Sequence, residues 1–181
     1  MFEHGIEVRG PAIGNSQLSF NSKTGDIESD CYHIADLMKD TCAGKLAGPF
    51  KISDEIKQVC IHITESKCYF NSLVLCKRHC VRKDKTQQSK GRRIADLTAN
   101  DINGLQDPDI VPVNNLPSFD FLIALLADKD FFLDFDYAAA YRNIRISCQN
   151  WGLISYLYDN FVFIELSLPF GLVQAAYYMQ T

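Results

Sequence analysis

Two aspartates in the C-terminal third of the sequence could hold a divalent cation. The stretch from Asp130 to Asp136 alternates large apolar and acidic residues, which predicts a β-strand with Asp134 and Asp136 on one face. Residues 138–142 break that alternation and predict a turn or a short helix. Mg²⁺ prefers oxygen ligands and usually takes one or two protein carboxylates, while water and phosphate oxygens complete its shell. Asp136 is therefore the candidate ligand; the alternative, and the commoner role for such a pair, is to keep an exposed strand soluble.

The positive charge of the chain is concentrated in residues 77–93. Eight Lys and Arg residues stand there against Asp84 alone, which gives +7, so the formal net charge of −4 leaves −11 for the remainder. Such a segment could displace counterions from a nucleic-acid backbone or grip triphosphate oxygens. The alternative is a solvated loop, and charge alone does not choose between them. The acidic charge of the remaining chain argues against a protein that covers nucleic acid nonspecifically.

The seven cysteines could bind metal or simply pack in the core. Six residues with thiol or imidazole side chains lie within residues 60–80: Cys60, His62, Cys68, Cys76, His79 and Cys80. Structural zinc sites usually present two tight ligand pairs, and only Cys76 with Cys80 comes close. We therefore favour small buried hydrophobic residues and keep a thiol-ligated zinc domain as the alternative. The odd count argues against a closed disulfide framework, and the N-terminus is not a secretory signal, so we expect reduced thiols in a protein that is not secreted.

Length and composition suit one folded domain. The chain has 181 residues, of which 47% are hydrophobic and 22% are charged, enough to bury a core and too little net charge for a disordered protein. The longest apolar run, 119–126, is interrupted by Asp120. It is far shorter than the roughly 20 residues that a membrane crossing needs, so no transmembrane helix is expected.

Periodicity and turn residues predict a mixed α+β fold. Helices are predicted in three places: 30–43 after an N-cap at Ser29 or Asp30 and before a stop at Gly44, 119–126 after a cap at Ser118, and 173–180. Strands are predicted at 59–63, 70–76, 93–97 and 130–136, with a hairpin over 153–166 that turns at Asp159-Asn160. A hairpin loop with its polar tip at 84–91 is expected between strands. Residues 1–28 are expected to form an irregular arm and 99–117 a long extended connector.

Two motifs, in this order, resemble the palm of retroelement reverse transcriptases. The first reads Asp136-Tyr137-Ala138-Ala139-Ala140-Tyr141-Arg142, where that family has Asp-x-x-x-Ala-Tyr/Phe-Arg or a close variant. The second reads Leu168-Pro169-Phe170-Gly171-Leu172-Val173-Gln174-Ala175, where the family has Leu/Met-Pro-Phe-Gly-Leu-x-x-Ala-Pro. Trp151-Gly152 lies between them.

Upstream segments agree with the same family. Residues 90–98, together with Asn71-Ser72 and an apolar strand that Lys77 ends, resemble the fingers hairpin. Residues 44–50, read Gly-Lys-Leu-Ala-Gly-Pro-Phe, are similar to the Gly-Arg-x-x-Gly-Pro-Phe stretch of DIRS-type polymerases. The chain thus resembles a DIRS-type or gypsy-type retrotransposon reverse transcriptase from about residue 30 to its end.

The resemblance implies an RNA-directed DNA polymerase that uses Mg²⁺ for nucleotidyl transfer. It implies that the Asp136 carboxylate is the catalytic metal ligand, with the Tyr137 carbonyl as its neighbour. Tyr141 corresponds to the aromatic gate that packs beneath the incoming sugar and excludes a 2′-hydroxyl. The implied partners are an RNA or DNA template-primer and deoxynucleoside triphosphates, with no membrane.

Four further residues are implied to bind substrate. Arg92, and with weaker support Lys77, correspond to the fingers cations that hold the triphosphate. Phe170 and Gly171 correspond to the motif that packs against the nucleotide and the template. The implied organisation is an N-terminal arm over 1–28, a fingers-like region over 29–118 and a partial palm over 119–181.

Departures from the family pattern set the remaining expectations. Ala176 replaces a proline and Met179 a phenylalanine, and the sequence contains neither a Tyr-x-Asp-Asp motif nor any Asp-Asp pair. We therefore expect a truncated palm without a thumb, inactive as a polymerase alone. The hairpin at 153–166 should then leave one edge and one apolar face open, which favours self-association. The alternative is a decayed or domesticated retroelement remnant that acts as a nucleic-acid-binding or interaction module.

Overall fold

The computed structural model describes residues 5–10, 22–51, 59–63, 66–70, 74–81, 92–110, 118–127, 131 and 139–180. Helices and antiparallel strands mix in these ranges, which confirms the α+β class. The helices are α1 (Ile27–Cys42), α2 (Phe119–Leu126) and α3 (Ala175–Gln180). The strands are β1 (Leu46–Lys51), β2 (Val59–Ile63), β3 (Ser66–Phe70), β4 (Lys77–Val81), β5 (Arg92–Asp96), β6 (Ser155–Tyr158) and β7 (Phe161–Glu165).

A three-stranded antiparallel sheet joins distant parts of the chain in the order β1-β7-β6. The β6–β7 hairpin turns at Asp159, whose φ of +55° confirms the turn predicted at that position. β1 pairs with β7 through a register shift between Ala47 and Phe50. This sheet therefore combines a strand of the predicted fingers-like region with two strands of the predicted partial palm, and the boundary at residue 118 stays a prediction.

Two separate hairpins complete the strands, β2 with β3 and β4 with β5. The pairing of β4 with β5 confirms that two strands flank the basic loop, whose predicted tip at 84–91 lies outside the described residues. We call these two strands the basic hairpin. Of the strand predicted over 70–76, Phe70 ends β3, residues 71–73 lie outside the described residues, and residues 74–76 are not part of a named strand. Residues 74–76 instead lie beside β6, where the Cys76 amide donates to the Ser155 carbonyl at 2.7 Å. Their apolar side chains are buried in the core, which explains why the run reads as a strand.

The start of α2 agrees with its predicted N-cap, and the start of α1 does not. The Ser118 hydroxyl accepts from the Phe121 amide at 3.2 Å and caps α2, as predicted. The N-cap of α1 is Asp26, not Ser29 or Asp30, so that prediction is wrong. Asp30 instead accepts from the Thr24 and Gly25 amides at 2.8 and 2.9 Å, which ties the preceding loop to the helix. Among the described helices, none is long and apolar enough to cross a bilayer.

Two segments that lack periodicity nevertheless contribute structure. The predicted irregular arm supplies Ile6 and Val8 to the core, and Ile6 forms a parallel bridge with Ile146. The predicted extended connector contains two 3-10 turns, Asn103–Leu105 and Pro108–Ile110, so it is not extended there. The buried side chain of Ile102 draws the first of these turns onto the core.

The core covers both faces of the β6–β7 hairpin. All four residues of β6 and all but the first of β7 are buried. The edge of β6 meets residues 74–76, and the Ser22 amide donates to the Leu157 carbonyl at 2.7 Å. The predicted open edge and open apolar face of this hairpin are therefore wrong, since segments distant in sequence cover them. Exposed apolar surface lies instead on α2, where Phe119 is 77% exposed.

Candidate functional site

The structure describes some of the predicted site residues and not others. Asp136 and Tyr137, like Asp134 and the predicted strand over 130–136, lie outside the described residues. Tyr141, Phe170 and Gly171 are described with their side-chain surroundings, and they meet in one place.

Tyr141 and Phe170 form an aromatic pair. Their ring centroids are 5.4 Å apart and the rings meet edge to face at 71°. Such pairs contribute roughly 0.5–1.5 kcal/mol beyond the burial of their area. Tyr141 is half-buried, whereas 43% of Phe170 remains exposed. The pair therefore presents one aromatic surface to solvent and fixes the other against the core.

Phe170 and Gly171 pack against strand β5 of the basic hairpin. The Ala95 amide donates to the Phe170 carbonyl at 3.1 Å. Gly171 has a φ of +113°, and a Cβ built there would lie only 2.2 Å from the Ala95 carbonyl oxygen. Only glycine allows this approach of the two backbones. The second motif is thus seated directly on the basic hairpin.

The two predicted cations lie at opposite ends of the basic hairpin. Lys77 pairs with Asp96, beside the Ala95 contact, and its side chain is exposed. Arg92 pairs with Val81 at the other end, next to segment 82–91, and only its backbone is described. Three residues along a strand amount to about 10 Å, so the Arg92 backbone lies about that far from Ala95. The end of the basic hairpin that contains Lys77 therefore lies next to the aromatic pair, and Arg92 lies at the far end.

Asn103 holds the second motif in place, although no motif in the sequence pointed to it. Its Nδ2 donates to the Gly171 carbonyl at 2.9 Å, and its Oδ1 accepts from the Val173 amide at 3.0 Å. The same Nδ2 lies 3.1 Å from the Thr98 hydroxyl, directly after β5. This one side chain therefore joins the turn after Phe170 to the end of the basic hairpin. An asparagine in a Gly-containing turn was the only available signal.

A buried network of charges lies behind Tyr141. The Arg142 guanidinium donates to the Glu165 carboxylate and, at 2.9 Å, to Asp40, while the Tyr156 hydroxyl donates to Glu165 at 2.9 Å. Burial alone would lower the pKa of Arg142, but Glu165, then Tyr156 and Asp40, hold it above its usual value. Burial first and Glu165 second raise the pKa of Tyr156 well above its usual value. At neutral pH the network thus combines a charged guanidinium with a neutral phenol.

The described residues offer no cluster of three or more His, Cys, Asp or Glu side chains that could hold a metal ion. The ligands implied for Mg²⁺ lie outside them. For the zinc alternative, Cys76 is a poor ligand because burial, the largest cause, raises the pKa of its thiol to about 12. Zinc binds the thiolate, which such burial disfavours. The side chains of the other five candidate zinc ligands are not among those described.

A cavity of about 650 Å³ lies elsewhere, between residues 7–10, residues 105–107 and helix α3. It contains none of the predicted site residues. Glu7 and Asp107 stand against Arg9 among its lining residues, so its charge is net acidic.

No protein-family model matches the chain, and a search of the curated proteins finds no significant match. The functional interpretation therefore depends on the two motifs and on the geometry around Phe170.

Proposed function

We propose that the chain supplies the deoxynucleotide-binding part of an RNA-directed DNA polymerase of the retroelement reverse-transcriptase type. In this proposal the basic hairpin belongs to the fingers, and strands β6 and β7 belong to the palm. The substrates are deoxynucleoside triphosphates on an RNA or DNA template-primer.

One observation carries the proposal: Phe170 contacts Tyr141 through its ring and Ala95 through its carbonyl. The two motifs that resemble the family stand almost thirty residues apart in sequence, from Tyr141 to Phe170, and the fold packs them together against a strand of the most basic segment. An aromatic surface next to cations suits a nucleotide, because the aromatic rings support its sugar and base while the cations hold its phosphates.

Each residue has a distinct task in this proposal. Tyr141 supports the sugar and excludes a 2′-hydroxyl by its bulk, and Phe170 with Gly171 forms the surface beneath the nucleotide. Lys77 and Arg92 attract the triphosphate. Asp136 and the Tyr137 carbonyl would hold Mg²⁺, which when bound neutralises phosphate charge and aligns the reacting oxygens.

The proposal is tested by titrating the chain with a fluorescent deoxynucleotide in the presence of template-primer and Mg²⁺. We expect saturable binding that Phe170→Ala weakens about tenfold, since the loss of a stacking aromatic ring removes about 1–3 kcal/mol. Phe161→Ala is the matched control, because Phe161 is 41% exposed and Phe170 is 43% exposed. Absence of binding, or equal weakening by both changes, would contradict the proposal.

A nucleic-acid-binding module is the second candidate, and the register of the basic hairpin favours it. The pairing of Val81 with Arg92 brings together both ends of segment 82–91, which carries four of the eight clustered cations. If this candidate is correct, RNA binding will be independent of Mg²⁺, will weaken with salt, and will be lost in Arg92→Ala. Lys51→Ala, which removes an exposed cation at the end of β1, should leave that binding unchanged.

A further inference from the structure

The turn that carries Tyr141 is held by the residue that follows it. Tyr141 and Arg142 lie in a 3-10 turn over Ala140–Asn143, and Ala139 before it has a φ of +52°. The Arg142 amide donates to the Ala139 carbonyl at 2.8 Å, and the Ile144 amide donates to the Tyr141 carbonyl at 3.1 Å. A single turn of this kind has little stability of its own. Its orientation therefore depends on what anchors its side chains.

The anchor is the Arg142 side chain, which is 7% exposed. It donates from Nη1 to Glu165 on β7 and from Nη2 to Asp40 on α1. Glu165 is 1% exposed and also accepts from Tyr156 on β6. Because a guanidinium presents its donors in a rigid plane, two carboxylates on two elements fix both its position and its tilt.

Asp40 joins this turn to the basic hairpin. Its Oδ2 accepts from Arg142 at 2.9 Å and from Arg78 on β4 at 3.3 Å. Arg78 also donates to Asp36 at 3.2 Å, and its guanidinium lies 4.9 Å from the centre of the Tyr156 ring. One carboxylate on α1 thus connects the turn beside Tyr141 to the strand that begins with Lys77.

Packing alone does not explain this network. A buried set of ion pairs is often no more stabilising than apolar residues of the same volume. The directional bonds of the network instead specify one geometry. The network also carries a cost in stability, because the buried Arg78 Nη1 has no hydrogen-bond partner within the part of the chain that the structure describes. Such an arrangement suits a role in orientation rather than in stability.

We propose that Arg142 is a positioning residue: its bonds to Glu165 and Asp40 hold the Tyr141 ring against Phe170 and in a fixed relation to the basic hairpin. If the proposed function is correct, Arg142 also affects the selection of deoxynucleotides over ribonucleotides, although it contacts neither. Only this consequence rests on the proposed function. The orientation of the ring itself is a property of the free chain.

The test compares wild type with Arg142→Met and Arg142→Lys by two measurements. The first is the nuclear Overhauser contact between the Tyr141 and Phe170 rings in isotope-labelled protein. The second is the ratio of the dissociation constants for ATP and dATP with template-primer and Mg²⁺. We expect Arg142→Met to abolish the ring contact and to lower the ratio about tenfold, because a displacement near 1 Å can cost up to roughly a hundredfold. Arg142→Lys should restore part of both.

Arg145→Met is the matched control. Arg145 lies three residues after Arg142, is exposed, and donates from its side chain to the Gly44 carbonyl. It should leave both measurements unchanged. Asp40→Asn, which keeps volume while removing the charge, replaces Arg142→Met if that variant does not fold, and the same loss is expected.

The two proposals can fail separately. If the wild type binds no nucleotide, the proposed function fails, while the ring contact still tests the positioning role. If a folded Arg142→Met or Asp40→Asn keeps the ring contact and the wild-type ratio, the positioning role is overturned. Loss of stability with an unchanged ring contact would also overturn it, because that is the behaviour of a purely structural ion pair.

Discussion

The carbonyl of Phe170 accepts a hydrogen bond from the amide of Ala95 at 3.1 Å. This bond joins the turn after Leu168-Pro169 to strand β5 of the basic hairpin. The Phe170 ring meets Tyr141 on its other side. Three parts of the chain that are distant in sequence therefore converge on one residue, and changes at the residues that hold this convergence should have measurable effects.

Gly171→Ala should destabilise the fold strongly. The new Cβ would lie 2.2 Å from the Ala95 carbonyl oxygen, in addition to the strain of a φ of +113°. We expect a loss of about 2–4 kcal/mol in the free energy of unfolding, measured by denaturant titration. Gly25→Ala is the control, because Gly25 has a φ of +84° and a Cβ added there would meet nothing within 4 Å. Equal losses in the two variants would show that the contact with Ala95 is not close.

Asn103→Ala should loosen the turn that carries Phe170 and Gly171. It removes the donor to the Gly171 carbonyl and the acceptor for the Val173 amide. Each hydrogen bond contributes about 0.5–1.5 kcal/mol, so we expect a loss of about 1–3 kcal/mol. Hydrogen exchange at the Val173 amide should accelerate. Asn103→Asp keeps the acceptor, so exchange at Val173 should rise less in that variant; a larger rise would argue against the bond.

Glu165→Ala should be far more destabilising than the loss of a surface ion pair. It leaves the buried Arg142 guanidinium without its main partner, and such changes typically remove about 3–5 kcal/mol. Lys23→Ala breaks an exposed pair with Asp159 at 3.4 Å, where the loss should stay below about 1 kcal/mol. Chemical denaturation of both variants makes the comparison. Similar losses would mean that Glu165 and Arg142 are not both buried and charged.

Cys76 should resist alkylation in the folded protein while Cys148 reacts. Cys76 is buried and the pKa of its thiol is raised to about 12, whereas Cys31, Cys42 and Cys148 are exposed. Mass spectrometry after brief treatment with iodoacetamide at pH 8 measures the difference. Because the folded pKa lies above the ordinary value of 9.0, the unfolded chain releases this proton first, so stability should fall as the pH rises from about 9 toward 12. Rapid labelling of Cys76 in folded protein at pH 8 would contradict its burial.

Local signals were sufficient for several elements. The N-cap at Ser118 fixed α2, and the pair Asp159-Asn160 fixed the turn of the β6–β7 hairpin, because capping and positive φ depend on adjacent residues. Residues 74–76 were placed in a strand over 70–76, because a short apolar stretch such as 73–76 does not reveal its partner. The pairing of residues 74–76 with β6 depends on contacts some eighty positions away, between Leu75 and Ser155.

The site was predictable only in part. The motifs indicated Tyr141 and Phe170, but nothing in the sequence showed that their rings would touch. Asp40, Arg142 and Glu165 come from three elements, and no spacing rule connects them. Arg142 itself stood inside the first motif and was read only as part of its pattern. The predictions for Asp136 and Tyr137 stay predictions, since both lie outside the described residues.

The selection of deoxynucleotides over ribonucleotides by Tyr141 tests the central claim most directly. The measurement is the ratio of the dissociation constants for ATP and dATP, with template-primer and Mg²⁺, in wild type, Tyr141→Ala and Tyr177→Ala. Tyr177 is a second half-buried tyrosine and serves as the control. We predict that wild type and Tyr177→Ala prefer dATP by the same factor and that Tyr141→Ala loses that preference while still binding ATP. An identical ratio in all three proteins, or no binding by the wild type, would contradict the account.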